Sequence, residues 1–252
     1  VLEQKKGFSS ITDSALLASP NSRYLGSEPK LYTRYRYKYG RHLSFGFTAE
    51  KDAGEEFFSG SQKNGFDYYS AHLFIRNQGK IKQLAIGDFQ AQFGQGLTYW
   101  SGRAFGKSAD IMLVKRSAQG LKAYTSVDES RFLRGGGTTF KFGKVEATAF
   151  YSYKKIDANV DAVDSLSDDN EVLAVTSLQQ TGFHRTFNEL EDKGVIAQRT
   201  IGGHLAYRTR KLTLGLTGIN SNINTDFTPA VQTYSQFRNV ENNQTKLGAD
   251  YN

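Results

Sequence analysis

From Lys30 onward the chain alternates between apolar and polar positions. Leu31, Thr33, Tyr35, Tyr37 and Tyr39 occupy one parity, and Tyr32, Arg34, Arg36 and Lys38 the other. After Gly40-Arg41 the alternation resumes, with Leu43, Phe45, Phe47 and Ala49 against His42, Ser44, Gly46, Thr48 and Glu50. Period two means strand, because successive side chains point to opposite faces of a sheet. Each run lasts about nine or ten residues, longer than the usual five or six and close to what a tilted strand needs to cross a bilayer. The pattern recurs from Tyr68 to Arg76, from Leu121 to Val127, and most clearly from Val145 to Lys154. It returns at Ile201, Gly203, Leu205 and Tyr207, and then at Leu212, Leu214 and Leu216. Ile81 to Gln90 alternates less cleanly, and Ile111 to Arg116 is apolar at both parities.

Connections alternate in length. Tight turns are expected at Tyr39-Gly40-Arg41-His42, Asn77-Gln78-Gly79-Lys80, Ser117-Ala118-Gln119-Gly120, Phe142-Gly143-Lys144 and Arg208-Thr209-Arg210-Lys211. Longer loops are expected at Lys51 to Asp67, Ala91 to Asp110, Asp128 to Gly136, Lys155 to Arg199 and Ser221 to Gln244. Transmembrane barrels have short periplasmic turns and longer external loops. The expectation is therefore an all-β chain: an antiparallel, up-and-down transmembrane β-barrel, with about ten or eleven strands of a larger barrel present. A soluble sandwich is the weaker alternative, because its strands are shorter and its loops do not separate by length. Residues 1–252 then belong to one outer-membrane barrel domain, with residues 1–28 as an external loop. The odd strand count and the polar start, Val1 to Lys6, read as an internal piece of a longer protein.

Composition agrees with that picture. Mean hydropathy is −0.53, which a barrel tolerates because only every second residue meets lipid. Aromatic residues make up 13% of the chain, with 14 Tyr, 18 Phe and one Trp, as interface girdles require. Trp100, beside Tyr99, reads as an interfacial anchor. The absence of cysteine excludes disulfides, thiolate metal sites and a cysteine nucleophile. Net charge is +7, with many of the bases at alternate strand positions rather than on one surface patch.

Three segments, Phe47 to Glu55, Gly87 to Leu97 and Ala104 to Ser108, resemble a family of large outer-membrane β-barrel proteins of Bacteroidota. Arg131-Phe132-Leu133-Arg134-Gly135 adds to the likeness, which is best between Glu28 and Lys155. The resemblance implies an outer-membrane location, with lipid, lipopolysaccharide and other envelope proteins as partners. Full-length members often carry helix-hairpin-helix repeats before the barrel. Nothing in this chain matches such repeats, so nucleic acid enters only by family analogy, through a domain not found within residues 1–252.

Parity assigns faces. Arg34, Arg36, Lys38, Arg76, Lys82, Lys122, Lys141 and Lys154 are expected to face the lumen; Ala147, Ala149, Tyr151, Leu205 and Leu214 are expected to face lipid. The bases either line an anion-favouring path or pair with Glu and Asp of opposing strands; pairing is the slightly favoured expectation. Acidic runs at Glu50, Asp52, Glu55 and Glu56, and at Asp161, Asp164, Asp168, Asp169 and Glu171, fit no calcium loop and read as solvated loops with salt bridges to neighbouring bases. Gly94-Gln95-Gly96, Gly135-Gly136-Gly137 and Gly106-Lys107-Ser108 lack the P-loop spacing and read as bends or bulges. His42, His72, His184 and His204 have no accompanying nucleophile motif. No catalytic, cofactor or metal residue is expected. The leading function is transport or channel-associated work; the alternatives are a structural or assembly subunit of an envelope complex and, third, a hydrolase at the barrel rim.

Overall fold

The computed structural model describes residues 6–8, 19–102, 116–164, 171–227 and 241–252. Its elements are β1 Leu31–Tyr39, β2 Leu43–Lys51, β3 Tyr68–Gln78, β4 Ile81–Gln92, β5 Gly120–Ala123, β6 Leu133–Phe142, β7 Val145–Ile156, β8 Ala158–Asp164, β9 Glu171–Leu178, α1 Phe187–Glu191, β10 Ile196–Arg208, β11 Thr213–Ile223, β12 Asp226–Phe227 and β13 Asn243–Tyr251. Nine strands form one antiparallel path, β1-β2-β3-β4-β6-β7-β10-β11-β13, with β5 attached to β4 beside it. The sheet is open: β1 and β13 end the path and do not pair with each other among the described residues. The expected closure into a barrel is thus not part of the observed architecture.

Four of the five expected tight turns join consecutive strands of this path; the fifth, Ser117-Ala118-Gln119-Gly120, is not a turn, and Gly120 already opens β5. Gly40, in a three-residue turn, and Gly79 and Gly143, in two-residue turns, take φ of +51°, +59° and +59°, the left-handed region that short hairpins need and that glycine enters without strain. All four turns lie at one end of the sheet, and the longer connections lie at the other.

Burial follows parity. Along β7, Glu146, Thr148, Phe150, Ser152 and Lys154 are buried, while Ala149, Tyr151 and Tyr153 are exposed. Register carries the bare side across neighbouring strands. Phe140, Ala147, Leu205, Leu216 and Ala249 form one cross-strand row, and Phe142, Val145, Tyr207, Leu214 and Tyr251 the next. On the other face Thr139, Thr148, His204 and Thr217 form a polar row. Thr139 and Thr148 share a hydroxyl hydrogen bond of 2.9 Å, and His204 Nδ1 lies 2.9 Å from Thr217 Oγ1.

The covered face is filled from within the chain. β4 stays paired with β3 as far as Gly87, then leaves it and takes β5 as its neighbour. Gly87 has φ of +89°, and a Cβ there would sit 2.4 Å from the Ala71 carbonyl oxygen, so only glycine permits this bend. Beyond it Phe89, Ala91, Phe93 and Leu121 pack with Phe74, Leu133, Phe150 and Ile219 into the main apolar cluster. Phe93 stacks on His204 at 4.8 Å, and Tyr99 lies 5.8 Å from Phe150.

Several expectations change. β5 is not a wall strand of Leu121–Val127, and its expected partner around Ile111 lies mostly outside the described residues. Residues 155–199 are not one loop: β8 and β9 form a hairpin off the main sheet, and β12 joins β9 in parallel. Val160 and Val175 pair across it. Trp100 is not an interfacial anchor, because it bridges Gln92 on the covered side, under the Arg116 guanidinium.

Candidate functional site

At the long-loop end four separate connections converge on His184. The local sequence explains how His184 is presented. Thr186-Phe187-Asn188-Glu189 has capping-box spacing: the Thr186 hydroxyl accepts from the Glu189 N–H, while Glu189 accepts from the Arg185 N–H at 2.7 Å and from its guanidinium at 2.7 Å. This short turn, α1, fixes the backbone just after His184. The His184 N–H donates to Glu55 Oε1 at 3.0 Å. Its ring is held between Asp67, 2.6 Å from Nδ1, and Asp157, 3.2 Å from Nε2. Lys193 adds a 2.6 Å ion pair to Asp67, and Asp157 accepts the Gly194 N–H at 2.7 Å.

These contacts set the charge states. Burial opposes a charge on His184, but its hydrogen bonds to Asp157 and Asp67 outweigh that and raise its pKa to about 10. Burial likewise opposes ionisation of Asp67, but His184 and Lys193 outweigh it and leave its pKa lowered. Burial, with Asp67 nearby, pushes Glu129 up to about 9 and Glu55 up to about 6. The site therefore holds an imidazolium between two carboxylates and a neutral Glu129 beside them.

Glu55, Asp67 and His184 offer donor atoms within 4.8 Å of one another, the spacing of a cation site. Each donor already has a protein partner, and an imidazolium is a cation rather than a ligand. The group is better described as a buried electrostatic tie between loops. It borders a cavity of about 610 Å³ whose far wall carries Arg134, Lys154 and Phe132. Arg134 grips Asp88 through Nε and Nη2 at 2.7 and 2.9 Å, and Lys154 donates to the Ser130 carbonyl at 2.6 Å above the Phe132 ring. No Ser or Thr hydroxyl bonds His184 among the described residues; its side-chain partners are the carboxylates of Asp67 and Asp157.

The sequence-predicted bases are distributed unevenly. Arg36, Lys38, Arg76 and Lys122 come together, with Arg41, around a cleft of about 420 Å³ at the short-turn end. Lys154 is at the opposite cavity, Lys141 is exposed, and Arg34 lies over the Tyr32 ring at 5.0 Å. The expected pairing with acids of opposing strands does not occur for Arg34, Arg36, Lys38, Arg76, Lys122, Lys141 or Lys154 among the described residues. The reason is competition: Glu146 is taken by Lys82 and Arg208 at 2.6 and 2.8 Å, and Asp88 by Arg134. Lys82 alone of the expected inward bases is paired as foreseen.

The acidic loop is partly as expected: Lys30 bridges Glu50 and Asp52. Glu55 departs from that expectation, since it is buried and caps the Asp52 N–H at 2.7 Å. Asp168 and Asp169, and Gly106-Lys107-Ser108, lie outside the described residues. His72 meets Ser44 at 3.4 Å rather than acting with Ser70. Asp67, Asp157 and Glu129 had no pattern to reveal them; the capping-box spacing after His184 was the one available signal.

No family model, no curated protein and no solved structure matches the chain. What the residues and the fold define is an all-β, antiparallel, up-and-down sheet with one bare apolar face and one filled polar face.

Proposed function

We propose that the chain forms wall and filling of an integral outer-membrane β-barrel with a transport or channel-associated role, in keeping with its resemblance to the large Bacteroidota barrel family. The observation that carries this reading is the inverted distribution of polarity. Tyr35, Phe45, Phe47, Ile86, Tyr151, Ile201, Leu205, Leu214 and Leu216 are exposed on the bare face, while Thr148, Ser152, Lys154 and Glu146 are buried on the other. A soluble protein rarely exposes so continuous an apolar surface. A barrel wall does so by design, with aromatic residues near both edges of its apolar band. Tyr39, Phe142, Tyr207 and Tyr251 lie towards the short-turn end, and Tyr69 and Tyr153 towards the other. With this orientation the short turns face the periplasm.

One observation favours the second reading, a structural or assembly subunit. Phe89, Phe93, Leu121 and Phe150 close the middle of the covered face, so passage requires the 93–102 segment to move. The test is conductance of the reconstituted full-length protein in a planar bilayer. Rare openings that become frequent in Phe93→Ala, which removes the stack on Phe150 and His204, are expected for the transport role. Silence of both proteins favours the structural subunit. Release of the protein from membranes by alkaline carbonate refutes both.

A further inference from the structure

The cleft at the short-turn end gathers five bases, four of them exposed. Arg36 and Lys38 come from β1, Arg41 from the following turn, Arg76 from the end of β3 and Lys122 from β5. No acidic residue among the described residues lines the cleft. None of these five bases forms an ion pair among the described residues. Elsewhere on this face Lys82 and Arg208 share Glu146, and Arg134 has Asp88. The frame of the cleft is built: the Arg76 N–H donates to the His42 carbonyl at 2.7 Å, His42 Nδ1 lies 3.2 Å from the Arg76 carbonyl oxygen, and the Arg76 guanidinium is held 4.7 Å over the Phe74 ring.

We propose that this cleft is a binding site for a soluble oxyanion carrying two or more phosphate groups. Like charges gathered in one concavity repel one another and raise the local concentration of counter-ions. Three guanidinium forks match the paired oxygens of phosphate, and two ammonium groups add point charge. A single carboxylate leaves most of that charge unbalanced, whereas a diphosphate supplies several negative charges in a compact volume. About 420 Å³ is within the range of small-molecule sites. Arg36 and Lys38 share the parity of buried Thr48 and half-buried Ser44, their cross-strand neighbours being Gly46 and Ser44. They therefore lie opposite the bare apolar face, which points to a solute rather than a lipid headgroup. The choice of a solute over a lipid headgroup rests on the proposed membrane facing of the bare side; the oxyanion site itself stands on the cleft and does not need the barrel to conduct.

The test is calorimetric titration of the detergent-solubilised full-length protein with inorganic pyrophosphate, with orthophosphate in parallel. Saturable one-to-one binding, tighter for pyrophosphate and weakened by salt, is expected. R36Q/R76Q should lower the affinity at least tenfold, whereas K141Q/K211Q, bases outside the cleft, should leave it unchanged. Circular dichroism and urea midpoints matching the parent protein establish that the variants fold. Absence of saturable binding overturns the proposal, as does equal loss in both double variants. Binding to anionic phospholipid micelles with no binding of pyrophosphate overturns the assignment to a soluble ligand.

Discussion

Ala149→Arg is the sharpest probe of the bare face. β7 has 12 residues, Val145–Ile156; in the proposed barrel, at about 3.3 Å per residue and a tilt of about 40°, it would span roughly 30 Å along the membrane normal, enough for an apolar band about 25 Å tall. Ala149 is four residues from Val145, so it lies roughly 10 Å from the short-turn end, within a few ångströms of the band's middle. Its cross-strand neighbours are Thr138 and Gly203, which offer no carboxylate to an introduced guanidinium. An arginine at the midplane of a lipid-facing wall costs about 2–4 kcal/mol, roughly a 30- to 700-fold change in the folding equilibrium. Ala149→Leu has no such cost on a lipid face.

The assay is urea-dependent folding of the full-length protein into phospholipid vesicles, with parent, A149R and A149L compared at equilibrium. Thr148→Arg provides the contrast. It gives up the 2.9 Å hydroxyl bond to Thr139, worth about 1 kcal/mol, but its new side chain enters a polar cavity of about 520 Å³ that also holds Asp250. A149R within about 0.5 kcal/mol of the parent, or T148R as costly as A149R, refutes the facing of the wall.

Two further outcomes follow from the same geometry. His184→Ala leaves Asp67 and Asp157 facing each other without the imidazolium and should cost about 3–5 kcal/mol locally, read as faster proteolysis between residues 179 and 195; protection equal to the parent counts against the tie. Because the folded pKa of His184 is raised from 6.5 to about 10, its contribution is complete below 6.5 and is lost as pH rises through 10. Glu129, raised from 4.5 to about 9, acts in the same direction from a lower pH, so amide protection of this segment should begin to fall above about pH 4.5, fall most steeply between about 6.5 and 9 where both groups contribute, and level off near 10; a flat profile contradicts the assignment. Gly87→Ala forces φ of +89° on a residue with a Cβ against the Ala71 carbonyl oxygen and should destabilise by about 2–3 kcal/mol; a neutral substitution by vesicle folding sinks the account of the β4 bend.

Period-two alternation located the walls because each wall strand has one covered and one bare face, and side-chain parity survives any tilt or register. β7 was legible from Val145 to Lys154 for that reason, as were the hairpins at Gly40, Gly79 and Gly143. The filling was not legible. β5 is four residues long and is buried through Leu121 by the bend at Gly87, a feature that depends on where β3 stops rather than on any pattern in residues 120–123. The β8–β9 hairpin leaves the main sheet, so loop length alone grouped it with its surroundings. The His184 tie draws Glu55, Asp67, Asp157 and Lys193 from points far apart in the chain. No short-range spacing encodes such a meeting. The basic parity was readable, but the partners were not, because pairing depends on which base reaches Glu146 and Asp88 first in space.

That competition separates two uses of charge on one face. Where a carboxylate is buried, the nearest bases close on it: Lys82 and Arg208 on Glu146, Arg134 on Asp88, His184 and Lys193 on Asp67. Stripping any of these carboxylates of its bases leaves a buried charge unpaired, which is expensive, so these groups hold strands and loops in place. Arg36, Lys38, Arg41, Arg76 and Lys122 line a cleft that no carboxylate of the described residues reaches. Their mutual repulsion lowers stability slightly and is relieved only by an anion from outside. Matched charges at the long-loop end and along the middle of the wall thus account for structure, and the unmatched set at the short-turn end is where the covered face is built to meet a ligand.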